Sequence, residues 1–298
     1  MTLKPITSPQ NSFYKEALKL QNPKDARKNN VFTVEGVRAV QEVFQAGWQI
    51  HSLWVEEGFD IENSLFDRMK ERSSSGKANI NALRADQGGQ HAVQDSLDAA
   101  QGNPVNLQVY ILPRQLFARL ADTKSPQGIL AIVYRKEWKL AGLLSKEAPL
   151  FVILEDLQDP GNAGTILRTA DAAGADAVFV TKGTVDVFGQ KVVRSSMGSL
   201  LHLPVITVPT VEVLAPHLQK KGIRLYAGDL KAEKAPWQAD LSQKTAILIG
   251  NEGAGISEPA KESADELVKI PMPGHAESLN AAVAAGMLLY EAVRQRSC

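Results

Sequence analysis

The sequence predicts an α/β protein in two parts, a small α/β domain followed by a larger one built on a mostly parallel sheet. Three observations predict it. Short apolar runs alternate with segments of helical period along most of the 298 residues. That length is enough for two domains with a sizeable core in each. A charged, proline-ended connector, "RKEWKLAGLLSKEAP" at residues 135 to 149, separates the halves and marks the expected linker between residues 1–134 and 150–298.

Composition narrows the class of protein. Apolar residues make up 44% and charged residues 22%, as in soluble globular chains. Thirty-three basic and 33 acidic residues cancel, which argues against a histone-like binder of nucleic acid but leaves room for a local basic patch. The one cysteine, Cys298, can form neither an internal disulfide nor a zinc site, so a reducing compartment is expected. The first twenty residues lack the apolar core of a signal peptide, and no stretch approaches membrane-spanning length. Together these predict a cytoplasmic protein.

Within the first half, residues 1 to 30 carry Lys4, Lys15, Lys19, Lys24, Arg27 and Lys28 against Glu16 and Asp25, a local charge of +4. A solvated helix face and an RNA contact are both open there. "VFTVEG" reads as a strand, "VRAVQEVFQAG" as a helix stopped by Gly47, and "IHSLWVEE" as a strand. "QVYILP", "RQLFARLAD" and "GILAIVYR" repeat that order. Residues 71 to 104 are rich in Ser, Gly, Gln, Asn and Asp and read as a polar surface insertion.

The second half is more regular. "LFVILEDL", "ADAVFVT", "IRLYAGDL", "TAILIG" and "ELVKIPM" read as strands, and "VVRSSMGSLLHLPVITV" leads to another. "GNAGTILRTADAAG" reads as a loop and helix, "TVEVLAPHLQKKG" as a helix, "GISEPAKESA" as a short helix, and the last helix is expected from Leu279. Such alternation argues a parallel sheet, whose ligands sit at the carboxyl ends of its strands. Three unusual loops fall there.

In "LQDPGNAGTILRTADAAGA", Gly161 and Gly164 permit close backbone approach and Asn162 offers an amide. Arg168 is expected early on the following helix. It could bind phosphate in a bidentate manner or pair with Asp171 on the surface. "AILIGNEGAGIS" has the order G-x-x-G-x-G and is a poor dinucleotide fingerprint, which counts against an oxidoreductase. Glu252 within it is either a cap partner or an acid that orients a neighbour. In "IPMPGHAESLNAA", Pro271 and Pro273 fix the chain path and Ser278 sits where an N-cap belongs. Leu279, Ala282, Val283, Gly286, Met287, Tyr290 and Val293 then form an apolar stripe suited to core or interface, with Asn280 beside it. Metal spacing of Cys and His, a nucleophile elbow and a P-loop are all missing from the pattern.

Taken in order, "DPGNAGTILRTADAAGADAVFV", "ILIGNEGAGIS" and "IPMPGHAESLNAAVAAGMLLYEA" resemble the three motifs of the SpoU (TrmH) family of RNA ribose 2′-O-methyltransferases, within the SPOUT superfamily. The resemblance covers essentially all of residues 150 to 298, including "KVVRSSMGSLLHLPV" between the first two motifs. "NNVFTVEGVRAVQEVFQAG" and "DTKSPQGILAIV" resemble the substrate-binding domain that often precedes it, a small fold like certain RNA-binding ribosomal proteins. The insertion at 71 to 104 is longer and more polar than that domain leads one to expect.

The resemblance implies a SPOUT-type parallel sheet with a deep trefoil knot, and an obligate homodimer with the last helix and its small residues in the interface. It implies S-adenosylmethionine as cofactor, held bent by Gly250, Asn251, Gly253, Ile270, Met272, Ser278 and Leu279. It implies Arg168 as the residue that binds the phosphate beside the target ribose or helps remove the hydroxyl proton. Asn162 would position Arg168 or the ribose, Glu252 would orient that network, Ser278 and Asn280 would hold the catalytic loop, and Arg194 would contact RNA. No metal is required. The substrate implied is structured RNA, ribosomal before transfer RNA. The competing expectation is a non-catalytic RNA-binding or ribosome-assembly factor on the same fold.

Overall fold

A computed structural model describes residues 2–61 and 107–297. The expected polar insertion at 71 to 104 lies outside the described residues. The chain divides into two compact units, Met1–Lys136 and Glu137–Cys298.

The first unit is a five-stranded sheet with helices on both faces. Its strands are β1 (Thr2–Pro5), β2 (Val31–Glu35), β3 (Ile50–Glu56), β4 (Gln108–Leu112) and β5 (Ile129–Tyr134), in the order β1-β4-β3-β5-β2. β1 and β3 pair parallel with β4, while β5 runs antiparallel to both β2 and β3. Among the described residues its helices are α1 (Ser12–Leu20), α2 (Pro23–Lys28), α3 (Val37–Gln45) and α4 (Arg114–Leu120). Asn11 caps α1 and Asn22 caps α2, each accepting from amides of the first turn. Tyr14, Ala17 and Leu20 of α1 join Leu116, Phe117 and Leu120 of α4 over Trp54, Tyr110 and Leu130 of the sheet.

The second unit is a six-stranded sheet, β11-β9-β10-β6-β7-β8, parallel throughout. Its strands are β6 (Leu150–Leu154), β7 (Ala177–Thr181), β8 (Val205–Val208), β9 (Arg224–Gly228), β10 (Thr245–Ile249) and β11 (Glu266–Val268). β6, β7 and β10 are buried along their whole length, as continuous apolar runs in a sheet covered on both faces should be. The helices are α5 (Leu140–Leu143), α6 (Pro160–Ala172), α7 (Gln190–Ser195), α8 (Val211–Gln219), α9 (Glu258–Glu262) and α10 (Ala281–Arg296). One core layer gathers Ile166, Leu167, Ala285 and Leu289 of α6 and α10 against Val152 and Ile247. The other gathers Leu214 and Leu218 of α8 and Ala260 of α9 against Phe151 and Leu248, with Leu143 and Leu144 of the expected linker buried in it.

Four local expectations are corrected. The glycine-rich stretch after β6 is not a loop. Asp159 caps α6 through its side chain, Pro160 occupies the first position, and Gly161 to Gly164 already lie in the helix. Arg168 is therefore the ninth of its 13 residues, not an early one. The last helix begins at Ala281, and its cap is Asn280, not Ser278. The last strand ends at Val268, so residues 269 to 280 are irregular where "ELVKIPM" predicts strand.

The apolar stripe on α10 also divides. Ala281, Ala282, Ala285 and Ala292 are buried in the chain's own core, while Val283, Met287 and Tyr290 are exposed. Gly286 faces Thr169 of α6, where an added Cβ would lie 3.8 Å from the threonine methyl. Ala281, Ala282 and Ala285 thus serve close packing within the chain.

Candidate active site

Three segments leave the carboxyl ends of β6, β10 and β11, and hydrogen bonds tie them together. Residues 251 to 255 form a tight turn in which Asn251 and Gly255 exchange backbone hydrogen bonds of 2.9 Å. The Asn251 side chain accepts from the amides of Gly253 and Ala254 and donates to the Asp156 carbonyl at 2.8 Å. Gly250 stands so close to Gly255 that a Cβ would meet its backbone at 2.4 Å, so a side chain is excluded there.

The turn holds Glu252 against the start of α6. One carboxylate oxygen accepts from the Gln158 amide at 3.0 Å, the other from the Asp159 amide at 2.9 Å and from Asn162 Nδ2 at 3.1 Å. Burial pushes the Glu252 carboxyl up, but these three hydrogen bonds, together with its own backbone N–H, outweigh it and hold it below its ordinary value. A carboxylate can only accept, so the NH2 end of Asn162 must face Glu252. The oxygen end of Asn162 then faces Asn280, whose Nδ2 donates to it at 2.9 Å. Asn280 Oδ1 accepts from the Ala282 and Val283 amides at the start of α10. The donor–acceptor sense runs consistently from the turn after β10, through the first turn of α6, to the N-terminus of α10.

Asn162, Glu252 and Asn280 are therefore brought together as expected of neighbours. Ser278 and Arg168 are not. Both are exposed, and neither side chain has a hydrogen bond or ion pair among the described residues; the alternative Arg168–Asp171 pair does not form. Arg168 shares a helix face with Gly164, which packs against Ser195 of α7, and not with Asn162. Arg194, at the end of α7, is exposed. Sequence reasoning missed Gln158 and Asp159. Asp159 followed by proline is a recognisable helix start, but the backbone amides that grip Glu252 carry no side-chain signature.

From Ile270 to Leu279, no backbone N–H or C=O is paired within the described residues. Ile270 packs partly buried against the core, and Met272 and Leu279 are half-buried. Ten residues of unpaired peptide groups, backed by apolar side chains, suit a flat heteroaromatic ligand read by its edges. The residues present fit the adenosyl part of S-adenosylmethionine. Among the described residues no cluster of three or more His, Cys, Asp or Glu side chains could hold a metal ion, and no helix is long and apolar enough to cross a membrane.

Comparison with known proteins gives the same direction. Residues 149–290 match the SpoU rRNA Methylase family, and residues 11–131 match the MRM3-like substrate binding domain. A 23S rRNA (guanosine(2553)-2′-O)-methyltransferase of Bacillus subtilis is 32% identical over 97% of this chain and 98% of its own length. The AdoMet-bound rRNA methyltransferase of Sinorhizobium meliloti superposes with a TM-score of 0.78 at 27% identity, over 98% of each chain. The SpoU methyltransferase AviRb of Streptomyces viridochromogenes, in complex with AdoMet, gives 0.78 at 28% identity over 97% of this chain and 99% of its own. With a full-length relative above 30% identity and the three motif segments joined at the strand ends, the chain belongs to the SpoU methylase family.

Proposed function

We propose that the chain transfers the methyl group of S-adenosylmethionine to a ribose 2′-hydroxyl of structured RNA, ribosomal RNA before transfer RNA. The observation that carries this reading is the Glu252–Asn162–Asn280 chain, which ties the three motif segments together beside the unpaired peptides of residues 270 to 279. The relative that acts on a 23S rRNA guanosine spans nearly the whole chain and supports the choice of RNA. Residues 1–134 would bind the RNA, 135–149 link, and 150–298 carry the transfer, in the cytoplasm.

When bound, the cofactor supplies an electrophilic methyl on a sulfonium, and S-adenosylhomocysteine leaves. Gly250, Asn251, Gly253, Ile270, Met272, Ser278 and Leu279 hold it through backbone groups and apolar contact. Arg168 binds the phosphate beside the target ribose and lowers the cost of losing the hydroxyl proton, which passes to solvent water. Asn162 keeps one N–H and one lone pair beyond its two hydrogen bonds, enough to orient the ribose. Glu252 and Asn280 hold Asn162 in one sense, Ser278 steadies the loop at the cofactor, and Arg194 adds an RNA contact. The rate gain comes from orientation and electrostatics.

The separation of Arg168 from the Glu252 cluster within one chain supports a homodimer in which each Arg168 serves the partner's site. Exposed Val283, Met287 and Tyr290 on α10 supply an apolar face for that contact. The family's trefoil knot belongs to the same reading, and the return of the chain from edge strand β11 to α10 through residues 269 to 280 is compatible with it.

The test is incubation of purified protein with methyl-labelled S-adenosylmethionine and, separately, unmodified rRNA and tRNA. The expected result is label in rRNA and alkali resistance at one position. Cofactor binding without label points to an assembly intermediate as substrate. Neither binding nor label overturns the enzyme reading and leaves an RNA-binding factor on the same fold.

A further inference from the structure

The first unit holds an aromatic stack that ends at the surface. Trp54 of β3 and Tyr110 of β4 sit opposite each other in parallel register, their rings stacked at 4.3 Å and 22°. Both are buried. Phe13 of α1 lies 5.5 Å from the Tyr110 ring at 30°, and unlike them it is 46% exposed. Lys4 of edge strand β1, paired in register with Tyr110, puts its ammonium 5.4 Å from the Phe13 ring centre. An exposed phenylalanine alone means little. One that ends a buried stack, rigidly backed and attended by a cation, has the form of a platform for a flat, negatively charged ligand.

The net charge of the segment around the ring agrees on the sign of that ligand. On another face of α1, a cavity of about 450 Å³ is lined by Ser12, Lys15, Lys19 and Asn29, with Glu16 and Asp25, so its ammonium and carboxylate groups balance. Neither lysine holds an ion pair among the described residues, although two carboxylates line the same cavity. Residues 1 to 28 carry six basic and two acidic side chains, a net +4, in a chain whose 33 basic and 33 acidic residues cancel. A basic segment with an ammonium group at an exposed ring suits a nucleotide, with its base on the ring and a phosphate at Lys4.

We propose that α1 carries a base-stacking site of the RNA substrate: an unpaired nucleobase lies on Phe13, and the adjoining phosphate is held by Lys4. The inference rests on the reading of the chain as an RNA-acting enzyme and adds a site in the first unit that recognises single-stranded RNA. Stacking is tolerant of base identity, so this site contributes affinity and register, not sequence choice.

The test uses the full chain and a fluorescently labelled in-vitro transcript of unmodified large-subunit rRNA. Binding is followed by anisotropy for the wild type, Phe13→Leu and Phe13→Trp. Leucine keeps the apolar contact with Tyr110 but loses the ring, and tryptophan restores it. The expected result is a Kd about tenfold higher for Phe13→Leu and near wild type for Phe13→Trp. S-adenosylmethionine affinity and melting temperature should be unchanged in both. A 5-iodouridine-substituted transcript should photocrosslink to the peptide containing residue 13. Equal binding by Phe13→Leu, or crosslinks that avoid α1 in a wild type that binds RNA, overturns the proposal, as does a wild type that binds no RNA. Phe13-dependent binding without methyl transfer would keep this site and remove the enzymatic reading instead.

Discussion

Glu252 does something its amide could not. Two backbone N–H groups, of Gln158 and Asp159, donate to different oxygens of the one carboxylate, and Asn162 donates to it as well. A glutamine offers one acceptor oxygen and turns an NH2 toward an N–H donor, so one of those groups loses its partner. Glu252→Gln should therefore loosen the turn after β10 from the start of α6 while leaving the sheet intact. Hydrogen bonds to a charged group contribute about 1.5–3 kcal/mol, so S-adenosylmethionine affinity should fall roughly tenfold to a hundredfold. Calorimetric titration checks it, and unchanged affinity would detach this clamp from the cofactor site. The sign of its pH dependence follows from the lowered pKa. The folded carboxyl ionises below its ordinary 4.5, so the clamp's contribution is fully present above 4.5 and is lost as pH falls through the folded value. Wild-type affinity should weaken in acid on that limb, and the Gln variant should lack the corresponding step.

At the scale of elements, Gly164 sets how closely α6 can approach α7. A Cβ there would lie 1.9 Å from Ser195 Oγ, 2.7 Å from its Cβ and 3.0 Å from its backbone carbon. The last contact cannot be relieved by a rotamer change, so Gly164→Ala should push the helices apart at a cost of about 1–3 kcal/mol. Urea denaturation measures it, and Ser195→Gly in the double mutant should recover part of the loss by removing the two side-chain contacts. Wild-type stability in Gly164→Ala would mean that α7 yields freely. The same pair of helices shows what was legible in the sequence. "LFVIL", "AVFVT" and "TAILI" read as strands because both their faces are buried and no polar alternation interrupts them. Helix starts were harder to read. Gly161 and Gly164 look like loop residues, and only the cap from Asp159 and the packing against Ser195 make them helical. Ser278 and Asn280 are both good caps two residues apart, and propensity cannot rank them. The bond from Asn280 to Asn162, 118 positions away, accompanies the choice. β1 is four residues ending in proline, and only its pairing with β4 reveals it. The residue types of the site were legible through the family motifs, but the donor–acceptor order that joins Glu252, Asn162 and Asn280 depends on backbone positions no motif displays.

For the whole molecule the question is which chain supplies Arg168. Within one chain it shares a helix face with Gly164, away from Asn162, and its side chain has no partner among the described residues. Val283, Met287 and Tyr290 follow one another at i, i+4 and i+7 on α10, 47%, 47% and 72% exposed, the spacing of a single helix face. If that face joins two copies, the two arginines and the two Glu252 clusters form two composite sites, and the arrangement can be read by complementation. Mix Arg168→Ala chains with Glu252→Gln chains and let them re-pair. In each mixed dimer, arginine acting across the interface leaves one site with an intact arginine and an intact clamp, and the other with neither. Arginine acting within its own chain leaves both sites broken. With random re-pairing, half the dimers are mixed and each has one working site of two, so the mixture should regain about one quarter of wild-type methyl transfer. Each variant alone should be far below that. A mixture no more active than its parents, with light scattering showing that mixed dimers have formed, would place Arg168 in its own chain's site. Adding Tyr290→Glu to both variants sets two charges into the apolar contact. It should lower the scattering mass toward the 32.3 kDa of one chain and abolish the recovery with it.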